Sequence, residues 1–249
     1  MRFTKTMCTV TYIPVQKNHF ILTSNRDEAP ARSPKSISKK MLDNGSCLIF
    51  PQDTKAGGTW IAASAGEKVV CLLNGAFAKH QHRPPYKMSR GHMVLGFFDY
   101  RDTQDFIRDF DFEGIEPFTM VIFDAGRLYE CRWDEHELHS KNLPPEAAHI
   151  WSSATLYPPD YQTKRVQIFE KWLDSEPDFS KENILKLHRT GSVGNPEYNF
   201  VMNRQNLVRT VSITCIEKSA QQLSMDYFDL LGAQPEAAIS KSITLQPGK

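Results

Sequence analysis

The sequence predicts a layered α+β fold, and three observations carry that prediction. Strand-like apolar runs with polar breaks dominate residues 8–75, a helical stretch follows, and strands return at 119–154 and again at 207–230 around a second helical pair. Strands and helices come in blocks instead of alternating one by one, which argues against a regular β-α repeat. Neither an internal repeat nor a low-complexity linker divides the 249 residues, so 1–249 reads as one domain.

Each element has a local reason. Runs 8–14 and 19–24 are separated by Val15-Gln16-Lys17-Asn18 and read as a hairpin. Runs 46–50, 59–64 and 68–74 follow, set off by the turn-forming clusters Asp43-Asn44-Gly45, Ala56-Gly57-Gly58 and Ala65-Gly66-Glu67. A helix is predicted from near Ser89, where Met93, Val94, Phe97 and Phe98 recur at helical spacing; it breaks near Tyr100, and a second covers 103–109. Strands resume at 119–124, 128–133, 137–140 and 150–154. Asp160 is placed to cap a helix that carries Val166, Phe169 and Leu173 on one side, and Ser180 to cap another containing Ile184, Leu185 and Leu187. The last strands are 207–217 and 222–230, and the tail 232–249 reads as loose.

Composition excludes several classes. Thirty Lys and Arg against 29 Asp and Glu leave a net charge of +1, which removes the electrostatic case for a nucleic-acid partner. No apolar run approaches the roughly 20 residues of a membrane helix, so no membrane insertion is expected. The five cysteines (Cys8, Cys47, Cys71, Cys131 and Cys215) are odd in number and form no C-x-x-C pair, which predicts neither a disulfide framework nor a cysteine zinc site. His80, His82 and His92 have no nearby carboxylate or cysteine in sequence, and Gly57-Gly58-Thr59-Trp60 lacks the lysine of a phosphate loop. Neither a metal nor a cofactor is expected. Residues 1–7 carry Arg2 and Lys5 with no apolar stretch behind them, unlike a secretory signal, and a cytoplasmic location is expected.

The start of the chain carries the most specific chemistry. With a four-residue hairpin loop, Cys8 falls opposite Asn25, beside the cluster Asn25-Arg26-Asp27-Glu28. Alternation places Asn25 and Asp27 on one face and Arg26 and Glu28 on the other; a bulge would shift the register by one. A thiol becomes a nucleophile when a base or cation favours the thiolate, and the α-amine serves as that base when the nucleophile is residue one. Met7 directly precedes Cys8, so removing residues 1–7 as a leader, or starting translation at Met7, would create that arrangement. Asp27 could orient the amine, and an arginine could hold the thiolate. The same residues also read as a small buried hydrophobe and a solvated charged turn.

These residues resemble the NRDE family, also called the transport and Golgi organisation family. The likeness rests on Met7-Cys8, Asn25-Arg26-Asp27-Glu28, Arg32, Pro34, Ala56-Gly57-Gly58-Thr59-Trp60, Leu73-Asn74, Ser89-Arg90-Gly91 with Val94, and Arg209-Thr210, in order. That family is similar to N-terminal-nucleophile hydrolases of the choloylglycine and penicillin-acylase-like group. The resemblance implies a four-layer αββα sandwich and attack by an N-terminal cysteine on an amide. It matches Cys8 to the nucleophile, Asn25 and Asp27 to the support of the amine, Asn74 to an oxyanion donor, and Arg209 to an arginine near the nucleophile. Arg26 and Glu28 fall inside the motif as supporting residues. Ser153 stands where the pattern has asparagine, which leaves a hydroxyl in place of an amide donor.

The expected function is therefore an amidohydrolase or acyl transferase that works through an acyl-enzyme on Cys8 and takes a small-molecule substrate. A non-catalytic carrier of a small ligand that keeps the hydrolase fold is the alternative. In a third reading Cys8 is structural and the Asn-Arg-Asp-Glu cluster is a salt-bridged corner.

Overall fold

The computed structural model describes residues 7–155, 158–175 and 177–246. The proposed leader lies outside these residues except for Met7. Fourteen strands and four α-helices follow in the order β1 (Met7–Gln16), β2 (His19–Glu28), β3 (Ile37–Met41), β4 (Cys47–Pro51), β5 (Ile61–Ser64), β6 (Lys68–Asn74), α1 (Arg90–Gly96), α2 (Thr103–Asp109), β7 (Phe118–Asp124), β8 (Arg127–Trp133), β9 (Leu138–Leu143), β10 (His149–Ser152), α3 (Pro159–Asp174), α4 (Lys181–Thr190), β11 (Asn203–Arg204), β12 (Val208–Lys218), β13 (Gln222–Asp229) and β14 (Ala238–Thr244). One sheet runs β10-β1-β2-β12-β13-β14, with β11 paired to β12. The other runs β3-β4-β5-β6-β7-β8-β9.

Side-chain alternation assembles these sheets into layers. Cys8, Val10 and Tyr12 of β1 meet Val69, Cys71 and Leu73 of β6 in the core between the sheets. Val70 and Leu72, the intervening residues of β6, pack with Met93, Val94, Phe97 and Phe106 beneath α1 and α2. Ile13 and Ile21 pack with Phe169, Ile184 and Leu187 beneath α3 and α4. Burial on both faces explains why β6 reads as a continuous apolar run instead of an alternating one. The order helices, sheet, sheet, helices is the four-layer αββα sandwich that the resemblance implied.

Several local expectations change. β1 and β2 are joined by the two-residue turn Lys17-Asn18, with Asn18 at φ 60°, and a bulge sits near Pro14–Gln16. The register shifts by one, so Cys8 lies opposite Arg26 instead of Asn25. The tail predicted to be loose forms β14, an antiparallel partner of β13. Its pattern is masked because the strand is barely covered: Ile239 and Ile243 share one face, but only Ile243 enters the core while Ile239 stays exposed. Asp160 does not cap α3, which starts at Pro159 behind Pro158, whereas the Ser180 side chain does accept from the N–H of Asn183 at the start of α4. Proline needs no hydrogen-bond partner at the first helical position, so that helix opens without a side-chain cap. Among the described residues, no helix is long and apolar enough to cross a membrane.

Candidate active site

Cys8 opens the inward-facing row of β1, with its side chain 5% exposed, on the same face as its cross-strand neighbour Arg26. Burial pushes the thiol well above its ordinary value, and Cys71 and Asp27 push it the same way. The Arg26 guanidinium and the main-chain N–H of Asp27 pull back, but less strongly. Within this chain Cys8 is therefore a protonated thiol, and a base must act before it can attack.

Arg26 is held by four partners. It pairs with Asp53 at 2.5 Å and Glu28 at 3.5 Å, donates to the Arg32 carbonyl at 3.0 Å, and lies 4.2 Å from the centre of the Trp60 ring. Arg32 closes the corner, meeting Glu28 at 2.6 Å and Asp53 at 2.9 Å. Burial raises Glu28, and the two arginines only partly offset it. Asp53 is also penalised by burial, but the N–H of Ala56 and the guanidinium of Arg26 carry it below its ordinary value. This is the salt-bridged corner of the third reading, and it fixes an arginine beside Cys8. Sequence reasoning missed Asp53 because it lies in a separate turn, with no motif linking it to Arg26.

Asn25 and Asp27 point the other way, as alternation predicted. The Asn25 amide donates to the carbonyls of His188 and Phe200 at 2.9 and 2.8 Å, and its oxygen accepts from His188 Nδ1 at 2.6 Å. Asn25 thus clamps α4 to β2 and stands away from the thiol. Asp27 accepts from the Thr210 hydroxyl on β12, and its main chain lies opposite Met7. The peptide bond that would have to be opened to free the Cys8 amine lies beside this residue.

Ser153 links Cys8 to Asn74. The N–H of Ser153 donates to the Cys8 carbonyl at 3.1 Å, and its hydroxyl donates to the Asn74 carbonyl at 2.6 Å. The Ser153 proton is thus directed at the Asn74 carbonyl. Asn74 ends β6, and Gly75 follows at φ +81°, where a Cβ would come within 2.6 Å of the Thr155 methyl. Arg209 lies opposite Glu28 at the start of β12. Its Nε is buried with no hydrogen-bond partner among the described residues.

Arg90 joins the same end of the molecule. It donates to the Pro117 carbonyl at 2.7 Å, which also accepts from the N–H of Gly75 at 2.9 Å, and it pairs with Glu116 at 3.0 Å. Glu116 also bonds His80 and His82 at 3.0 and 3.1 Å. Burial opposes ionisation of Glu116, but the His80 hydrogen bond and the Arg90 charge hold its carboxyl down at about 2. Among the described residues, no group of three or more His, Cys, Asp or Glu side chains could hold a metal ion.

Among the described residues, Cys8 lines neither of two surface clefts. One of about 250 Å³ lies between β9 and β10, and one of about 440 Å³ lies at the far end of the β1–β2 hairpin.

A family model described as Transport and Golgi organisation 2 matches residues 7–225. The chain belongs to this family. The match runs from β1 into β13 and so contains every residue placed around Cys8 above. No curated protein matches the sequence. Among solved structures, a variant of conjugated bile acid hydrolase from Clostridium perfringens superposes with a TM-score of 0.57 at 9% identity, covering 96% of this chain and 92% of that one. A second variant of that enzyme gives 0.51 at 10% identity, covering 96% and 97%. A Caenorhabditis elegans N-acylethanolamine-hydrolyzing acid amidase ortholog gives 0.49 at 13% identity, covering 84% and 92%. The likeness to the bile acid hydrolase identifies the fold as that of N-terminal-nucleophile hydrolases.

Proposed function

We propose that this family member is an N-terminal cysteine amidohydrolase or acyl transferase acting on a small amide. The observation that carries the reading is the position of Cys8: the head of a central strand, facing inward, beside a braced arginine and tied through Ser153 to Asn74. With the chain opened before Cys8, the new α-amine takes the thiol proton, and the sulfur attacks the amide carbonyl. Asp27 lies beside that amine. The Asn74 side chain and the Arg209 guanidinium stabilise the charge that develops on the carbonyl oxygen. The C–N bond breaks, the amine leaves with the proton, and water or a second amine then cleaves the thioester.

The raised thiol supports an essential role for that amine, because in the uncut chain nothing favours the thiolate strongly enough. A reducing, cytoplasmic setting fits five free cysteines. Intact mass and N-terminal sequencing of the purified chain test the proposal directly. A start at Cys8, together with turnover of an acyl amide that Cys8→Ala abolishes, is the expected result. A chain that retains Met7 and has an unreactive thiol removes the mechanism.

A binding or carrier role is the second reading, favoured by the Ser153 hydroxyl already being committed to Asn74. Saturable binding of a small acyl ligand that survives Cys8→Ala, with no turnover by the parent chain, would select it.

A further inference from the structure

The cleft between β9 and β10 has a composition that the Cys8 chemistry does not use. Its walls carry two cations, Arg132 and Lys141, against one carboxylate, Glu130, so one positive charge is in excess. Glu130, only 6% exposed, is saturated: Arg132 reaches it at 2.9 Å, Lys141 at 3.0 Å and the Trp151 indole N–H at 2.6 Å. It cannot accept much more, whereas Lys141, with its side chain 59% exposed, keeps donors free for another anion. Arg132 is fixed as well, because it also donates to the Ala76 carbonyl at 2.5 Å, two residues beyond Asn74.

The strand at the edge of this cleft leads to Cys8. β10 ends its sheet, and the bond from the Ser153 N–H to the Cys8 carbonyl makes those two a hydrogen-bonded pair. Antiparallel alternation then turns the N–H and C=O of Ser152 and Ile150 away from β1 and toward the cleft that both residues line. An extended ligand could pair with that edge as an added strand does. At roughly 3.3 Å per residue, Trp151 and Ile150 lie roughly 7 and 10 Å along the strand from the Cys8 pair.

We propose that the cleft is a subsite of the Cys8 centre for an amide that carries a carboxylate about 7–10 Å from its carbonyl carbon. The backbone edge of β10 aligns the connecting segment, Lys141 receives the carboxylate, and the Glu130–Arg132 pair keeps Trp151 and the Asn74–Ala76 turn at a fixed spacing. The assignment rests on Cys8 as the reacting residue, and the test separates the two ideas.

Suberic acid mono-p-nitroanilide and octanoic acid p-nitroanilide have acyl chains of equal length, and only the first carries a carboxylate. Binding of both is measured on the full chain bearing Cys8→Ala, by titration and by the indole N–H resonance that Trp151→Phe removes. The anionic compound is expected to bind about tenfold more tightly and to move that resonance. Adding Lys141→Ala, at an exposed position, should erase the preference, and Lys141→Arg should keep it. Equal binding of the two compounds, or a preference unchanged by Lys141→Ala, overturns the subsite. Selective binding to Cys8→Ala without turnover by the parent chain would instead overturn the nucleophile and leave the cleft as a carboxylate site.

Discussion

The Ser153 hydroxyl donates to the main-chain oxygen of Asn74 at 2.6 Å, joining the end of β10 in one sheet to the end of β6 in the other. The same residue holds the Cys8 carbonyl through its main-chain N–H, so one residue ties the Cys8 main chain to that of the candidate oxyanion donor. Ser153→Ala is expected to lower stability by about 1–2 kcal/mol, read from urea unfolding, because the hydroxyl's hydrogen bonds to the Asn74 carbonyl and to the Thr155 hydroxyl are lost and no charge is stranded. Where amide turnover is present, it should fall further than this stability loss implies. An unchanged unfolding midpoint would mean that the two sheet ends are spaced by other contacts.

Arg26 predicts a much larger cost. Replacing it with Met leaves Glu28 and Asp53 buried with Arg32 as their remaining cation, and about 3–5 kcal/mol should be lost. Arg26→Lys should recover only part of that, since an ammonium cannot form the same planar contacts with Asp53, Glu28 and Trp60. Denaturant titration of both variants checks the order; a lysine variant as stable as the parent would contradict it.

His188 makes stability depend on pH in a definite direction. Burial, then the Arg165 guanidinium, hold its pKa at about 3, while the unfolded chain takes up the proton near 6.5. The folded-state value is lowered, so the contribution is fully present above about 6.5 and is lost as pH falls toward 3. The neutral ring accepts from Thr11 at 2.7 Å and donates to Asn25, a geometry that the imidazolium breaks. His188→Gln should therefore flatten the decline in stability between pH 6 and pH 4 by up to about 1.4 kcal/mol per pH unit. Parallel slopes for the parent and variant chains would show that other groups carry the dependence.

Gly58 tests how α1 is seated. A Cβ there would meet the Gly91 carbonyl carbon at 2.5 Å and the His92 nitrogen at 2.8 Å, backbone atoms that cannot swing aside. Gly58→Ala should cost about 1–3 kcal/mol and displace Arg90, which begins the helix. Thermal unfolding gives the cost, and a variant within a few tenths of a kcal/mol of the parent would show that α1 shifts freely.

The fold class was largely legible in the sequence. Apolar runs set off by polar turns marked β1, β2 and β12, and the double-sided burial of β6 left a continuous apolar stretch that still reads as a strand. What escaped was short or one-sided: β3 is mostly exposed, β11 has two residues, and β14 packs chiefly through Ile243. The candidate site was legible only as separate pieces. Cys8, the Asn-Arg-Asp-Glu cluster, Asn74 and Arg209 were each visible, but the partners that hold them were not. Asp53, Trp60 and His188 belong to distant segments and make their contacts through packing, for which spacing along the chain has no counterpart.

By itself the sequence determined the layered α+β class, the hairpin that places Cys8 beside a charged cluster, and the face on which each cluster residue lies, because pleat alternation is a local property of the backbone. Only the tertiary structure decided which residue stands opposite Cys8, since one bulge moves the whole register and a bulge depends on how the hairpin packs. It also decided that Arg26 is locked to Asp53, that Asn25 serves α4, and that the Ser153 hydroxyl is already committed. Those outcomes follow from the stacking of two sheets, which brings together side chains that the chain order keeps apart.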